Sequence, residues 1–220
     1  VEEFHLSLSE ISQWWGISEE QNCTLNGHFI GKGTLHWPSR QWSIKLDVDS
    51  LESNGNLFNP QALREGVFSY LPLNGKGLRE TGPATSNWSE DIGWMDRAVT
   101  AAEDSRFFLH SGWDIEGIQI AFDEWSSGNS NPRGGSTITQ QLAKNLFTGD
   151  EHRVSRKIQE LIYTLELERL FTKEELLILY LNIVEFGPNI YGIKDASERY
   201  FVKAPAQLLP EEAAYLAALL

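Results

Sequence analysis

The chain has 220 residues, 41% of them hydrophobic, which is enough to bury a core in one large domain or two small ones. Its formal net charge is −13, from 31 acidic and 18 basic residues, and this argues against nucleic acid as a partner. One cysteine excludes an internal disulfide, and no Cys/His set has the spacing of a zinc site.

The first part of the chain predicts β-strands. Apolar and polar residues alternate at 4–8 and again at 42–48, and residues 27–37 are expected to form a hairpin with the second of these strands. Residues 71–87 are rich in Gly and Pro and predict a linker. We therefore expect a β-rich accessory region with linker at 1–85, whose function the sequence does not assign, and a second domain at 86–220. The nearby tryptophans are interpreted as core rather than as a surface for glycan or protein; they are Trp14, Trp15, Trp37 and Trp42.

A helix is predicted to end near two adjacent acids, Glu103 and Asp104. Its apolar face consists of Met95, Ala98, Val99 and Ala102. The aromatic pair Phe107 and Phe108 follows, and aromatic packing desolvates a neighbouring carboxyl group, which tunes it for proton transfer. The alternative is that both acids are ordinary solvated groups at a helix end.

Residues 114–125 place four apolar side chains on one helical face: Ile115, Ile118, Phe122 and Trp125. From the residues alone such a stripe indicates either a buried core face or shallow contact with a membrane surface.

The segment GGSTITQQLAKNLF, at 134–147, predicts an anion site. Ser136 is expected to be the N-cap, so that the first free backbone N–H groups of the helix point outward. Its apolar residues predict a buried face, which leaves Thr137, Gln141 and Lys144 on the opposite stripe, where they could grip a phosphate or a sugar. A capped surface helix with a polar exterior is the alternative.

The helix that follows is expected to begin near Ser155 and to expose Lys157 and Glu160 one turn apart. With Lys144 and Arg156, Lys157 supplies fixed cations suited to a pyrophosphate. The alternative is an ordinary surface ion pair between Lys157 and Glu160. The predicted buried face consists of Ile158, Leu161, Ile162 and Leu165.

Two further helices carry clear boundary signals. Thr172 and Glu175 predict a capping box at the start of one helix, and the Gly187–Pro188 pair is the signal that stops it. Pro210 and the acids after it suit a first helical turn, and the apolar residues beyond predict a helix that continues to Leu220.

Five blocks of the second half occur in a characteristic order: AAEDSRFFLHSGWD, GGSTITQQLAKNLF, SRKIQELIYTLELERL, TKEELLILYLNIVEFGPNIYG and LPEEAAYLAALL. Together they resemble the motifs of the peptidoglycan glycosyltransferases, transglycosylase family 51, over about residues 88–220. The resemblance implies an α+β chain: a mainly α, lysozyme-like glycosyltransferase domain preceded by a small β-rich region. It also implies a hydrophobic jaw, at 114–125, that dips into the membrane.

The substrate implied by the resemblance is lipid II, a disaccharide-pentapeptide on undecaprenyl pyrophosphate. A sugar 4-hydroxyl attacks the anomeric carbon of the growing glycan chain with inversion, and lipid pyrophosphate leaves. Glu103 matches the catalytic base, and Glu160 matches a second acid that positions the leaving group or helps to bind a metal. The substrate-binding matches are Ser136, Thr137, Gln140, Gln141, Lys144, Arg153, Arg156 and Lys157; the supporting matches are Asp104, Phe107, His110, Asn182 and Gly187.

The sequence departs from the family pattern at two positions. His152 occupies a position where a basic residue is usual, and Arg153 could take over that role. Asn189 replaces a commoner glycine, and an asparagine tolerates the left-handed backbone of such a turn.

The family is usually anchored in the bacterial cytoplasmic membrane by an N-terminal helix, with the catalytic domain outside the cytoplasm. We expect that anchor upstream of Val1, and cell-wall synthesis proteins as partners. The need for a divalent cation, Mg²⁺ or Mn²⁺, near Glu160 is left open. Two rival functions remain: a lysozyme-like lytic transglycosylase, for which the cations have no use, and a catalytically impaired scaffold that binds lipid II or a synthase.

Overall fold

The computed structural model describes residues 2–7, 24–36, 41–54, 57–72, 77–114, 117, 135–148 and 154–220. Before Leu57, and at positions 154–156 and 158, it describes the backbone alone. The chain divides into two compact units, Val1–Phe58 and Asn59–Leu220, and each is described by itself.

The first unit contains a three-stranded antiparallel sheet. Its strands are β1 (Glu2–Ser7), β2 (Thr24–His36) and β3 (Gln41–Asn54), in the order β1-β2-β3. The hairpin predicted between 27–37 and the strand at 42–48 is confirmed, because β2 and β3 pair along their length with one irregularity between Asn26 and His28. Trp14, Trp15 and Trp37 lie outside the described residues, so their assignment to a core stays a prediction.

The second unit begins with a short helix and a hairpin. Helix α1 (Pro60–Glu65) is capped by Asn59, and strands β4 (Phe68–Tyr70) and β5 (Arg79–Thr81) pair antiparallel. Residues 79–81 thus form a strand within the segment expected to be a linker. The hairpin packs on later elements, since the Tyr70 hydroxyl donates to Ile183 O at 3.2 Å and the Arg79 guanidinium lies 4.3 Å from the Tyr191 ring centre. The two compact units meet between residues 58 and 59, whereas the domain division expected at 85 and the functions assigned to the two regions stay predictions.

The core of the second unit is helical. Helix α2 (Met95–Glu103) buries Met95 and Val99 and packs against the last helix of the chain. Helix α3 (Ile138–Ala143) runs into a wider π-helical turn (Lys144–Thr148), and it packs on α4 (Val154–Leu170) and α5 (Lys173–Ile183). The chain is α+β, as predicted.

Helix α5 lies at the centre of this core because apolar residues cover most of its surface. Leu176, Leu181 and Ile183 are at most 1% exposed. The predicted capping box at its start is confirmed: Glu175 N donates to Thr172 Oγ1, and Thr172 N donates to the Glu175 carboxylate.

The remaining elements close the core. Strands β6 (Glu185–Gly187) and β7 (Ile190–Tyr191) form a hairpin whose turn contains Asn189 at a φ of 64°, so the predicted left-handed conformation is confirmed. Helices α6 (Ile193–Phe201) and α7 (Pro210–Ala217) follow. Pro210 opens α7 as predicted, but α7 ends at Ala217, not Leu220, because the last residues form turn-type hydrogen bonds.

Among the described helices, none combines the length and the apolar character needed to cross a membrane.

We predict that Gly192→Ala lowers the free energy of unfolding by about 3 kcal/mol, from backbone strain and overpacking together. Gly192 has a φ of 82°, and a Cβ there would lie 2.7 Å from Asn182 O. Gly77→Ala is the matched control, because Gly77 has a φ of 96° with no described atom within 4 Å of where its Cβ would lie. Urea denaturation of both variants checks this, and equal losses would contradict the steric part of the argument.

Candidate active site

A cleft of about 370 Å³ opens where the end of α2 and the loop after it face the start of α3. It brings together predicted site residues that are more than thirty positions apart in the sequence. Its lining residues are Ala101, Ala102, Glu103, Asp104, Ser105, Arg106, Asp114, Gly117, Gly135, Ser136, Thr137 and Gln141.

Glu103 is the last residue of α2, as predicted, and its half-buried carboxylate lies at the cleft. Gln141 Nε2 donates to Glu103 Oε2 at 2.8 Å. An amide donor stabilises the ionised form of a carboxylate and fixes its orientation. The arrangement therefore presents an oriented hydrogen-bond acceptor to any hydroxyl that enters the cleft.

Asp104, the next residue, points into the protein and is 6% exposed. Its Oδ2 accepts the backbone N–H of Ile138 at 3.1 Å, and its Oδ1 lies 3.0 Å from His110 Nε2. Since an ionised carboxylate only accepts, His110 carries a proton on Nε2. Asp104 thus supplies a negative charge at the start of α3, where the helix dipole favours one.

The N-cap predicted for α3 is wrong, and the backbone donors of Ile138 and Gln140, which were expected to point outward, are bound within the protein. The N-cap is Thr137, not Ser136: Gln140 N donates to Thr137 Oγ1 at 3.2 Å, and Thr137 N donates to Gln140 Oε1 at 3.1 Å. With Ile138 N bound to Asp104, these backbone donors point at protein acceptors. The T-x-x-Q spacing is a capping-box signal that sequence reasoning could have used.

The predicted polar stripe of Thr137, Gln141 and Lys144 is formed only in part, because Thr137 and Gln141 both line the cleft. Thr137 is nevertheless 2% exposed, and its hydroxyl donates to Gly112 O at 2.8 Å. Lys144 itself is still α-helical, because its backbone N–H bonds to Gln140 O, and the wider π-helical turn that begins there shapes the residues that follow. Lys144 is not among the residues that line the cleft.

Lys157 and Glu160 form the predicted ion pair, with Nζ and Oε1 2.5 Å apart. The Lys157 side chain is 54% exposed, whereas the Glu160 side chain is only 3% exposed. The prediction that both lie on the solvent face of the helix is therefore wrong for Glu160. Glu160 shares the buried face of α4 with Thr164 and Leu167, at helical spacing. Its Oε2 is buried with no hydrogen-bond partner among the described residues.

Two of the predicted supporting side chains fix the loops that frame the cleft. Phe107 is fully buried, and Lys173 Nζ lies 4.4 Å from its ring centre. Asn182, on α5, accepts from Ser89 N and donates to Ser89 O, both at 2.8 Å, which ties the segment before α2 to the core. Gly187 allows the close approach of the Tyr200 hydroxyl, 2.7 Å from where a Cβ would be.

Some predicted residues fall outside the described part. His152 and Arg153 are not described, nor is the Arg156 side chain. Of the apolar segment at 114–125, only Asp114 and Gly117 are described; Asp114 Oδ1 accepts from Gly117 N at 2.9 Å. The roles predicted for these positions stay predictions.

In the described ranges, no three acidic, histidine or cysteine side chains gather closely enough to hold a metal ion. The described partner of Glu160 is an ammonium group rather than a second carboxylate. A Mg²⁺ or Mn²⁺ ion prefers several oxygen ligands, so the described residues do not fit a divalent site at Glu160.

Sequence reasoning did not single out Tyr180, which lies on α5. The structure shows its hydroxyl donating to Gln141 Oε1 at 2.8 Å, so Tyr180 is joined to Glu103 through one amide. A buried tyrosine usually finds a hydrogen-bond partner for its hydroxyl, so a tyrosine among the apolar residues of α5 was a signal that sequence reasoning could have used.

The chain is similar to curated proteins that share one name. Curated relatives include biosynthetic peptidoglycan transglycosylases of Thiobacillus denitrificans (48% identical over 126 residues, 57% of this chain and 54% of that protein) and Acinetobacter baylyi (46% over 124 residues, 56% and 55%). That of Nitrosomonas eutropha is 43% identical over 126 residues, covering 57% of this chain and 52% of that protein. The chain thus spans about half the length of the curated relatives it matches.

A sequence profile described as transglycosylase matches residues 83–220, which is more than half of the chain and contains every residue that lines the cleft. The chain belongs to the transglycosylase family.

Proposed function

We propose that this chain carries a peptidoglycan glycosyltransferase, which polymerises lipid II into glycan strands. The observation that carries the proposal is Glu103, a carboxylate held at the cleft by the Gln141 amide within the segment that matches the family. The names of the relatives, biosynthetic peptidoglycan transglycosylases, support synthesis rather than cleavage of glycan.

Glu103 is the general base in this proposal. A sugar hydroxyl is a weak nucleophile at neutral pH, so its proton must pass to a base as the new bond forms. The 4-hydroxyl oxygen of one disaccharide bonds to the anomeric carbon of the other substrate, and its proton moves to Glu103 Oε1. The bond from that carbon to the pyrophosphate oxygen breaks on the opposite face, with inversion, and lipid pyrophosphate leaves with the electron pair.

The departing pyrophosphate needs fixed positive charge, because negative charge grows on its bridging oxygen. We assign this task to Lys144, Lys157 and the neighbouring arginines, Arg153 and Arg156. Glu160 holds the Lys157 ammonium in place through their ion pair.

The remaining residues that match the family's substrate-binding positions fall into two groups by their location in the structure. Ser136 is exposed at the cleft and Gln141 lines it, so we assign both to the sugar. Thr137 and Gln140 cap α3 with their side chains, and we assign them to holding the cleft wall.

The proposed setting is the outer side of the bacterial cytoplasmic membrane. We propose a lysozyme-like head, an anchor upstream of Val1, and shallow membrane contact through residues 114–125, which would place the cleft beside the lipid-linked substrate. Other cell-wall synthesis proteins are the expected partners.

The test incubates the full-length, membrane-anchored protein with labelled lipid II in detergent, with and without divalent cation, and separates the products on a gel. Polymer that lysozyme digests supports the proposal. Bound lipid II without polymer would favour the scaffold, with His152 as the first position to examine. Cleavage of preformed glycan would favour the lytic enzyme.

We predict that Glu103→Gln lowers polymerisation at least a hundredfold, the lower range for loss of a general base. Lipid II binding should change less than twofold, because the substituted amide oxygen can still accept from Gln141. Polymer yield and binding are measured on the same preparations, with Glu211→Gln on the exposed first turn of α7 as the control. Loss of binding equal to the loss of turnover would count against the base assignment.

We predict that Lys144→Ala lowers kcat/KM roughly a hundredfold, with binding and turnover both affected, because an ammonium near a pyrophosphate binds the charge of the ground state and stabilises still more the charge that grows in the transition state. Lys203→Ala, which removes a cation paired with Glu212 on α7, is the control. Steady-state kinetics with lipid II decide the matter: unchanged constants would exclude Lys144 from the phosphate site.

A further inference from the structure

We propose that Tyr180 is a positioning residue for Glu103, acting through the Gln141 side-chain amide. The Tyr180 hydroxyl fixes which end of that amide faces the carboxylate, and so keeps Glu103 oriented for proton transfer. The inference rests on the proposed function for its effect on rate, but the orientation itself can be tested without any activity.

The three side chains form one chain of hydrogen bonds from the core to the cleft. Tyr180 is fully buried on α5, and its hydroxyl donates to Gln141 Oε1 at 2.8 Å. Gln141 Nε2 in turn donates to Glu103 Oε2, also at 2.8 Å. Only the last two residues line the cleft, so Tyr180 reaches the substrate through them alone.

The polarity of this chain follows from the donors and acceptors available. An ionised carboxylate only accepts, so the amide nitrogen of Gln141 must face Glu103 and its oxygen must face Tyr180. If the amide rotated by half a turn, its oxygen would meet the carboxylate and the buried Tyr180 O–H would lose its acceptor. Leaving a buried donor unpaired is unfavourable, so the hydroxyl selects the productive orientation.

The hydroxyl keeps its proton under all working conditions. Burial, reinforced by the negative charge of Glu103, raises the pKa of Tyr180 well above its ordinary value. Tyr180 is therefore a hydrogen-bond donor at any pH where peptidoglycan could be made, and it takes no part in proton transfer itself.

The expected consequence is a loss of turnover without a loss of binding. The Glu103 oxygen must already point at the sugar 4-hydroxyl when that hydroxyl gives up its proton, because misorientation of a base slows the chemical step. Without the Tyr180 hydroxyl, only the bond to Glu103 itself holds the Gln141 amide, so the amide is less restricted and Glu103 keeps its donor for less of the time. Substrate contacts of the cleft itself stay in place.

Tyr180→Phe tests this, with Tyr70→Phe as the matched control. Tyr70 is also buried, at 3% exposure, and its hydroxyl also makes one hydrogen bond to α5, to Ile183 O, but it does not line the cleft. In the full-length protein we expect Tyr180→Phe to lower kcat about tenfold with KM within twofold, and Tyr70→Phe to change neither. Both should lower the melting temperature by similar amounts.

A second readout follows the amide directly. In full-length protein labelled with ¹⁵N-glutamine, the two side-chain N–H resonances of Gln141 are assigned by their loss in Gln141→Met. We expect their hydrogen exchange to accelerate in Tyr180→Phe and to stay unchanged in Tyr70→Phe.

The outcomes separate cleanly. Each of three results would overturn the positioning role. The first is a kcat of Tyr180→Phe within twofold of the unsubstituted protein, and the second is unchanged hydrogen exchange of the Gln141 side-chain N–H groups in that variant. The third is an equal kinetic loss in Tyr180→Phe and Tyr70→Phe. If the unsubstituted protein makes no polymer, the proposed function fails, and the Gln141 resonances alone then decide whether Tyr180 sets the amide.

Discussion

The Asp104 carboxylate at the start of α3 is the contact on which the rest of the site depends. It joins two segments that lie 34 positions apart by accepting the Ile138 N–H, and it holds His110 at its other oxygen. A helix start leaves backbone donors without partners, and a buried carboxylate is unfavourable without donors, so each satisfies the other. Because Glu103 is the neighbouring residue, the same contact fixes the catalytic candidate opposite Gln141.

Adjacent acids take opposite roles here because the helix ends between them. Glu103 is the last residue of α2, and Asp104 leaves the helical conformation with φ of −155° and ψ of 76°. The change of backbone direction sends one carboxylate to the cleft and the other into the core. The resemblance matched Glu103 to the base and Asp104 to a supporting residue, and the position of the helix end explains why the two carboxylates differ in burial.

Features set by neighbouring residues could be predicted, whereas those set by distant contacts could not. The capping box of Thr172 with Glu175 and the left-handed turn at Asn189 involve at most four residues, so the sequence contained their full cause. The burial of Glu160 depends on which face of α4 the other helices cover, and periodicity does not reveal this for a helix with apolar residues on several sides. The widened turn that begins at Lys144 likewise carried no local signal in the sequence.

The hydrogen-bonded chain from Tyr180 to Glu103 shows why this core is more polar than stability alone requires. Its middle residue, Gln141, bonds to both ends, so the chain is satisfied and adds little net stability over an apolar pair of the same shape. Satisfied polar networks instead restrict side chains to a single arrangement. The neighbouring α5 residue Asn182 follows the same logic, since its amide bonds both backbone groups of Ser89. Helix α5 therefore serves the cleft without lining it: its apolar surface holds the helices together, and its polar side chains fix the segments that present Glu103.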